Sequence, residues 1–222
     1  MQHTVETLPN GTRVWVNARH RFGSDSLLLA GFCNPRRNAA VCDLGTGCGI
    51  ILLSLLDKGL AGPAVGVEID PEGAELLAGA AEENGFANLQ SVAGSLCNYC
   101  PARLFDLVTA NPPYYTGGLV SPNPRRAAAR HQISATLGDF CAAAQRLLKD
   151  GGKFCICYPA GQLAGLFTTL QSHRLEPKRL QLTRKDAESP PWLALVEARK
   201  AGGPGLAILS DRLLPPGQPI QY

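Results

Sequence analysis

Short β-rich runs alternate with helical stretches along most of the chain, and this alternation restricts the possible folds more than any other feature. The runs lie at residues 39–44, 64–69, 89–93, 104–110 and 153–158. Strands that alternate with helices are typical of a parallel sheet covered by helices on both faces. We therefore predict an α/β fold with a mostly parallel sheet.

Helical segments are predicted around and between these strands, and one of them has recognisable ends. Pro71 stands where the first turn of a helix tolerates proline. The pair Asn84-Gly85 is typical of a helix C-terminus. The predicted helices span residues 24–32, 50–58, 71–84, 136–149 and 161–172.

Two further β-rich runs follow at residues 175–182 and 192–198. The loop between them is too short and too polar for a crossover helix, so we expect an antiparallel addition at one edge of the sheet. This brings the predicted sheet to seven strands. A short strand at 14–17 is expected before the sheet, and a loop-like tail with one short strand at 206–209 after it.

A length of 222 residues suits a single domain with a sizeable core. We expect residues 1–38 to form a strand and helix lid, 39–200 the sheet and 201–222 the tail. No run of about 20 uncharged apolar residues is present, so a membrane helix is not expected. The first residues lack the pattern of a signal peptide, and a cytoplasmic location is expected.

Charge is divided unevenly along the chain, although the net charge is only +3. Residues 1–110 carry 7 basic and 11 acidic side chains, whereas residues 111–222 carry 14 and 7. A basic second half fits a polyanionic partner. A chance cluster of solvated side chains fits the same counts.

Cysteine and histidine do not stand at the spacings of a metal site. The chain has 8 Cys and 4 His, and its one C-x-x-C pair, Cys97 and Cys100, has no second pair at zinc-ribbon spacing. That pair is compatible with a metal or redox site or with reduced thiols. Several other cysteines lie in apolar runs, where a thiol behaves as a small hydrophobic group. We expect no metal cofactor.

A glycine-rich turn follows the first strand of the sheet, at residues 43–49 (Asp-Leu-Gly-Thr-Gly-Cys-Gly). Alternate glycines let the backbone turn sharply and approach a ligand closely. The spacing is not the G-x-G-x-x-G of dinucleotide-binding dehydrogenases. Glu68 closes the next strand, where a carboxylate can accept both hydroxyls of a ribose. The pattern favours a nucleoside ligand over a purely structural turn.

A second motif, residues 111–114 (Asn-Pro-Pro-Tyr), follows the fourth strand. Its prolines restrict the backbone, so the Asn111 side chain and the Pro112 carbonyl can present two acceptors to the two hydrogens of a planar NH2 group. The Tyr114 ring offers a face on which a planar base can stack. An ordinary Asn-Pro turn is the alternative, but the position of the motif directly after this strand favours amine binding.

The two motifs together resemble the class I S-adenosylmethionine-dependent amino-methyltransferases. More narrowly, the chain resembles bacterial tRNA adenine-N6 methyltransferases that modify the adenine beside the anticodon of a valine tRNA. The narrower likeness rests on residues 22–29 (Phe-Gly-Ser-Asp-Ser-Leu-Leu-Leu), 111–115, 124–130 and 193–200. The resemblance implies a Rossmann-like, seven-stranded methyltransferase sheet, an S-adenosylmethionine cofactor and a tRNA substrate.

The resemblance also implies a role for individual residues. The glycine-rich turn would shape the methionine end of the cofactor site, Glu68 would hold the ribose and Ile69 would pack on the adenine. Asp25 would close over the cofactor from the N-terminal side. The implied cofactor-binding set is Asp25, Asp43, Gly45, Thr46, Gly47, Glu68, Ile69, Ser95 and Asn111.

One of these positions departs from the family pattern. Many such enzymes have an acidic residue after the third strand that binds the cofactor's exocyclic amine, and this chain has Ser95 there. For catalysis, the resemblance implies that Asn111 and Pro112 bind the target amine and that Tyr114 stacks on the base. Methyl transfer would be a direct displacement that needs no metal.

Basic side chains just beyond the Asn-Pro-Pro-Tyr motif are candidates for RNA contacts, because arginines commonly bind phosphates. They are Arg125, Arg126 and Arg130, and a second cluster lies at Lys178, Arg179, Arg184 and Lys185. A solvated loop is the alternative for either cluster.

Rival functions fit parts of the same pattern. A protein glutamine methyltransferase would use the same amine-binding motif, but such enzymes usually carry an added N-terminal helical domain. A DNA adenine methyltransferase would need a DNA-recognition domain. A non-catalytic scaffold would not need both motifs intact, and a dehydrogenase is disfavoured by the glycine spacing.

Overall fold

The structure is a computed structural model that describes residues 2–113 and 135–214. It begins with an antiparallel hairpin of β1 (Thr4–Thr7) and β2 (Arg13–Val16), which is followed by helix α1 (Ser24–Phe32). The predicted strand at 14–17 corresponds to β2, whereas β1 was not predicted. All four β1 side chains are exposed, and a strand that buries neither face needs no alternation of apolar and polar residues, which is the signal from which strands are predicted.

Alternating strands and helices follow, as predicted. The first part of this alternating region consists of β3 (Val41–Leu44), α2 (Ile50–Asp57), β4 (Ala64–Glu68), α3 (Pro71–Glu83) and β5 (Leu89–Ala93). The second part consists of β6 (Phe105–Ala110), α4 (Leu137–Leu147), β7 (Leu148–Pro159), α5 (Leu163–Ser172), β8 (Leu175–Arg184) and β9 (Leu193–Lys200).

The strands lie in one mixed sheet in the order β10-β8-β9-β7-β6-β3-β4-β5, where β10 is Ala207–Ile208. A further short strand, β11 (Arg212–Leu213), also pairs with β8. Strands β3 to β7 are mutually parallel, and β9 is antiparallel to both β7 and β8. The mostly parallel sheet with an antiparallel edge addition is thus confirmed.

Two local expectations differ from the structure. The described sheet has nine strands instead of seven, because the tail adds β10, which lies within the short strand predicted at 206–209, and β11, which was not predicted and has only two residues. Helix α4 ends at Leu147, and β7 already begins at Leu148. A register shift in the β6–β7 pairing accommodates the turn around Gly151, whose φ of +73° suits glycine.

The core consists of two apolar layers, one on each face of the sheet. Alternate β7 side chains divide between them: Cys155 and Cys157 lie in the layer formed with α1, α2 and α3. Phe154 and Ile156 lie in the layer formed with α4 and α5. All four side chains are buried. Both faces of the central strands are therefore covered, as a parallel sheet requires.

The N-terminal hairpin is held on α2 and α3 by polar and apolar contacts. Arg13 forms an ion pair with Glu83 at 3.0 Å. The Asp57 carboxylate accepts hydrogen bonds from the backbone N–H groups of Asn10 and Thr12, both at 3.1 Å. These contacts attach the hairpin directly to the helices of the sheet domain.

The cysteines fall into two groups by exposure. None of the eight, which all lie within the described ranges, forms a disulfide; six are buried, and Cys97 and Cys100 are exposed. No helix within residues 2–113 and 135–214 is long and apolar enough to cross a bilayer.

Candidate active site

The predicted site residues gather at the carboxyl edge of the sheet. Strand β3 lies between β4 and β6, and the chain runs from β3 towards β5 on one side and towards β7 on the other. Such a change of direction opens a crevice at the carboxyl ends of the adjacent strands. The residues after β3, β4 and β6, including Glu68 and Asn111, border this crevice.

The turn between β3 and α2 depends on glycine at two positions for different reasons. Gly49 has φ +83°, and an added Cβ would lie 2.2 Å from Leu77 Cδ1. Gly47 has φ +55°, but an added Cβ would have no neighbour within 4 Å. Gly49 therefore lets the turn pack on α3, whereas Gly47 faces open space that a ligand can approach.

Asp43, at the start of this turn, is a buried carboxylate with one oxygen unsatisfied. It is 1% exposed, and Oδ1 accepts a hydrogen bond from Thr109 Oγ1 at 2.6 Å. Within the described residues, Asp43 Oδ2 and Thr46 Oγ1 are buried without a hydrogen-bond partner. Burial raises the pKa of Asp43 to about 7, although the hydrogen bond from Thr109 and the nearby Thr46 hydroxyl offset part of this effect. These two atoms are ready to bind a polar or cationic ligand group.

Glu68 is held in place by backbone N–H groups on two sides. Oε2 accepts from Gly47 N at 2.8 Å, and Oε1 accepts from Asp70 N at 2.9 Å. A carboxylate can accept about four hydrogen bonds, so these two are compatible with further bonds to a ligand diol. The adjacent Ile69 is 49% exposed, which is unusual for a large apolar side chain and offers a contact for a flat ring.

Ser95 follows β5 on the neighbouring loop. Its Oγ accepts a hydrogen bond from Cys97 N at 3.3 Å, and the backbone N–H of Gly94 donates to Glu68 O at 2.8 Å. The Ser95 loop is thereby attached to the strand end that carries Glu68. The serine hydroxyl can still donate a hydrogen bond.

Asn111 stands directly after β6, between α1 and β7. Its Nδ2 donates to Ser26 Oγ at 2.9 Å, and its Oδ1 accepts from Cys157 Sγ at 3.1 Å. Asp25 lies next to Ser26 in the first turn of α1, where its Oδ1 accepts from Ser24 Oγ at 3.1 Å. The N-terminal helix therefore reaches the Asn-Pro-Pro-Tyr motif.

The remaining predicted residues either lie outside the described residues or are engaged in contacts within the chain. Tyr114, Arg125, Arg126 and Arg130 lie outside the described residues. The second basic cluster is largely engaged within the chain, because Arg179 pairs with Glu197 at 2.7 Å and Arg184 pairs with Asp211. Lys178 Nζ donates to the carbonyl of Gly203 at 3.1 Å. These contacts reduce the charge available to an RNA from that cluster.

Three residues that touch the predicted site were not predicted from the sequence: Ser26, Thr109 and Cys157. Each contacts its partner across at least 46 residues of chain. Thr109 meets Asp43 because the two residues are directly paired in the β3–β6 register. Only the tertiary fold brings these side chains together, although Ser26 lies within the 22–29 segment on which the resemblance rests.

A cluster of polar side chains also lies at the start of α3. Ligand atoms of His20, Asp70 and Glu72 lie within 4.8 Å of one another, which is a possible metal geometry. However, Arg19 donates to both carboxylates at 2.9 Å, and His20 lies 3.1 Å from Asp70. The cluster is therefore better described as an ion-pair network that attaches the segment before α1 to α3.

Comparison with curated proteins identifies relatives along most of the chain. A tRNA1(Val) (adenine(37)-N6)-methyltransferase of Parabacteroides distasonis is 28% identical over 180 residues, which are 80% of this chain and 76% of that protein. A protein of the same name from Porphyromonas gingivalis is 29% identical and covers 82% and 75% of the two chains.

Solved structures share the fold at low sequence identity. A predicted O-methyltransferase of Agrobacterium tumefaciens has a TM-score of 0.70 at 18% identity, over 87% of this chain and 89% of that chain. A T. thermophilus 16S rRNA methyltransferase in complex with AdoMet and guanosine has a TM-score of 0.62 at 20% identity, over 90% and 50%. A family model described as a methyltransferase domain matches residues 35–192, the stretch that includes both motifs. On this match the chain belongs to the methyltransferase domain family.

Proposed function

We propose that this chain transfers a methyl group from S-adenosylmethionine to N6 of an adenine in tRNA, and specifically to adenine 37 of a valine tRNA. The observation that carries the proposal is the amide of Asn111, fixed at the carboxyl end of β6 beside the glycine-rich turn. The names of the relatives, at 25–29% identity, support the choice of tRNA and of this adenine.

The described residues fit S-adenosylmethionine. The orphaned Asp43 Oδ2 and Thr46 Oγ1 suit the ammonium and carboxylate end of the cofactor, respectively, and the open side of Gly47 gives its chain room to approach. Glu68 accepts from the ribose hydroxyls, and Ile69 covers the adenine ring. The remaining proposed contacts come from Gly45, Ser95, Asp25 and Asn111.

When bound, the cofactor supplies a methyl group on a positively charged sulfur. The residues of the chain then have to prepare the amine, whose lone pair is conjugated with the ring and is a poor nucleophile. Asn111 Oδ1 and the Pro112 carbonyl accept its two hydrogens and shift electron density to nitrogen. The cofactor would supply the methyl carbon and its sulfur would keep the electron pair of the broken carbon–sulfur bond, while Asn111 and Pro112 hold the amine until its extra proton leaves to solvent.

We further propose that residues 1–222 act as one methyltransferase domain, in which residues 1–38 cover the cofactor site. In this proposal Tyr114 stacks on the target base, while Arg125, Arg126 and Arg130 contact RNA phosphates. The ion pairs of Arg19 and the contacts of α1 at the site support a covering role for the N-terminal segment.

The test is incubation with methyl-labelled S-adenosylmethionine and a valine tRNA transcript, followed by nucleoside analysis. N6-methyladenosine is expected, and a transcript with guanine at position 37 should remain unlabelled. Label at another adenine would contradict the assignment to position 37. Labelled protein glutamine without methyladenosine would instead favour a protein glutamine methyltransferase.

A further inference from the structure

We propose that Ser26 and Cys157 are positioning residues that hold the Asn111 amide in a single orientation, with its oxygen available to the target amine. The effect of this orientation on the rate of methyl transfer rests on the proposed function. The orientation itself does not, since it is a property of the folded chain.

The two contacts hold the amide from opposite sides. Ser26 Oγ on α1 accepts from Asn111 Nδ2 at 2.9 Å, and Cys157 Sγ on β7 donates to Asn111 Oδ1 at 3.1 Å. Both partners are buried, at 7% and 0% exposure. A planar amide bonded at both ends to packed elements cannot rotate without breaking two hydrogen bonds.

The chemistry of the two partners selects between the two orientations of the amide. A hydroxyl is a good acceptor, whereas a thiol sulfur is a weak one. Rotation by 180° would still allow a hydrogen bond at Ser26, whose hydroxyl can donate to the amide oxygen, but it would place the NH2 group of Asn111 against the weak acceptor Cys157 Sγ, so Cys157 decides between the two orientations. The observed orientation is therefore the favoured one, and an amide oxygen that accepts from a thiol can also accept from a substrate amine.

This choice matters because the rotated amide would be unsuitable for the proposed reaction. An exocyclic amine presents hydrogens, and an NH2 group in place of the Asn111 oxygen would repel them. Small errors in the placement of a reacting group lower the rate steeply. Ser26 and Cys157 thus act on the reaction through Asn111.

The chain offers a matched control for Cys157. Cys155 lies two residues away on β7, in the same apolar layer, and is equally buried. Its thiol interacts with Cys33 instead of Asn111. Substitution by alanine removes the same atoms at both positions, so a general packing effect should be similar for the two variants.

The first measurement follows the Asn111 side-chain NH2 signals by NMR of 15N-labelled protein, assigned as the pair lost in Asn111→Ala. We expect this pair to shift in Ser26→Ala and Cys157→Ala and to stay in place in Cys155→Ala. The second measurement is steady-state methyl transfer to tRNA. We expect Cys157→Ala to lower kcat about fivefold, as for one neutral hydrogen bond, with little change in KM for S-adenosylmethionine. Cys157→Ser, which keeps a donor, should recover kcat to within about twofold.

The outcomes separate this inference from the proposed function. Unchanged Asn111 signals in both Ser26→Ala and Cys157→Ala would overturn it, whatever the activity. An equal loss of kcat in Cys155→Ala and Cys157→Ala would reduce Cys157 to a packing role and overturn it as well. If the signals shift as expected but the wild type makes no N6-methyladenosine, the proposed function fails and the positioning of Asn111 stands.

Discussion

Replacing Asp43 by asparagine should stabilise the folded protein while it disables the cofactor site. Burial raises the pKa of the Asp43 carboxyl from 3.8 to about 7, so folding disfavours its ionised form. The resulting penalty is absent below the pKa of the unfolded chain, grows as the pH rises, and becomes constant above the folded-state pKa of about 7. Asparagine keeps an oxygen for the Thr109 hydroxyl without the charge.

The size of the effect follows from the shift in pKa. A rise from 3.8 to about 7, at about 1.4 kcal/mol per unit, corresponds to a penalty of about 4 kcal/mol at pH 8. The free energy of unfolding of Asp43→Asn should therefore exceed that of the wild type by up to about 4 kcal/mol at pH 8, and by little at pH 4. Cofactor affinity should fall sharply, because the orphaned carboxylate oxygen is proposed to bind the ammonium group.

Urea denaturation between pH 4 and pH 8 measures the difference, and calorimetry with S-adenosylmethionine measures binding. Asp139→Asn is a suitable control, because hydrogen bonds from Thr136 lower the pKa of Asp139. The stabilisation by that carboxylate is present above the unfolded pKa and is lost as the pH falls, so its pH dependence has the opposite sign. Parallel stability curves for Asp43→Asn and the wild type would refute the reasoning.

Three further experiments test the site, the turn and the RNA surface. Asn111→Ala should abolish methyl transfer with only a small loss of cofactor affinity by calorimetry, since Asn111 is one of nine proposed cofactor contacts; complete loss of cofactor binding would contradict its assignment mainly to the target amine. Gly49→Ala should lower the free energy of unfolding by roughly 2–4 kcal/mol, since it combines a positive φ with a steric overlap. Gly59→Ala, with φ +96° and open space around it, should cost only about 1 kcal/mol, and equal losses would exclude the packing explanation. Combined Arg125→Glu and Arg126→Glu should weaken tRNA binding and reduce the slope of log affinity against log salt by about 2, measured by filter binding; unchanged affinity would place the RNA elsewhere.

The main architecture could be predicted from the sequence because each parallel strand carries its own signal. Strand β5 and helix α1 lie at their predicted bounds. The ends of β3, β4 and β6 had to meet because parallel strands finish at the same edge. The glycine-rich turn, Glu68 and Asn111 therefore lie at one edge of the sheet, where the resemblance placed a common site.

Other parts of the site could not be predicted, for physical reasons. The pairing of Asp43 with Thr109 depends on strand order and register. The contact of Cys157 with Asn111 depends on which face of β7 packs against α1. A buried cysteine in an apolar run has the same sequence pattern whether it only fills space or also bonds to a reacting group.

The packing of Trp15 on α3 has a consequence for where the chain can be truncated. An added Cβ at Gly79 would lie 2.1 Å from the Trp15 ring, so α3 has a concave patch that fits the hairpin. The region matched by the family model begins at residue 35. A fragment trimmed to that boundary would expose this patch to water and would also lose Ser26. The residues that pack together therefore extend beyond the region that the family model matches.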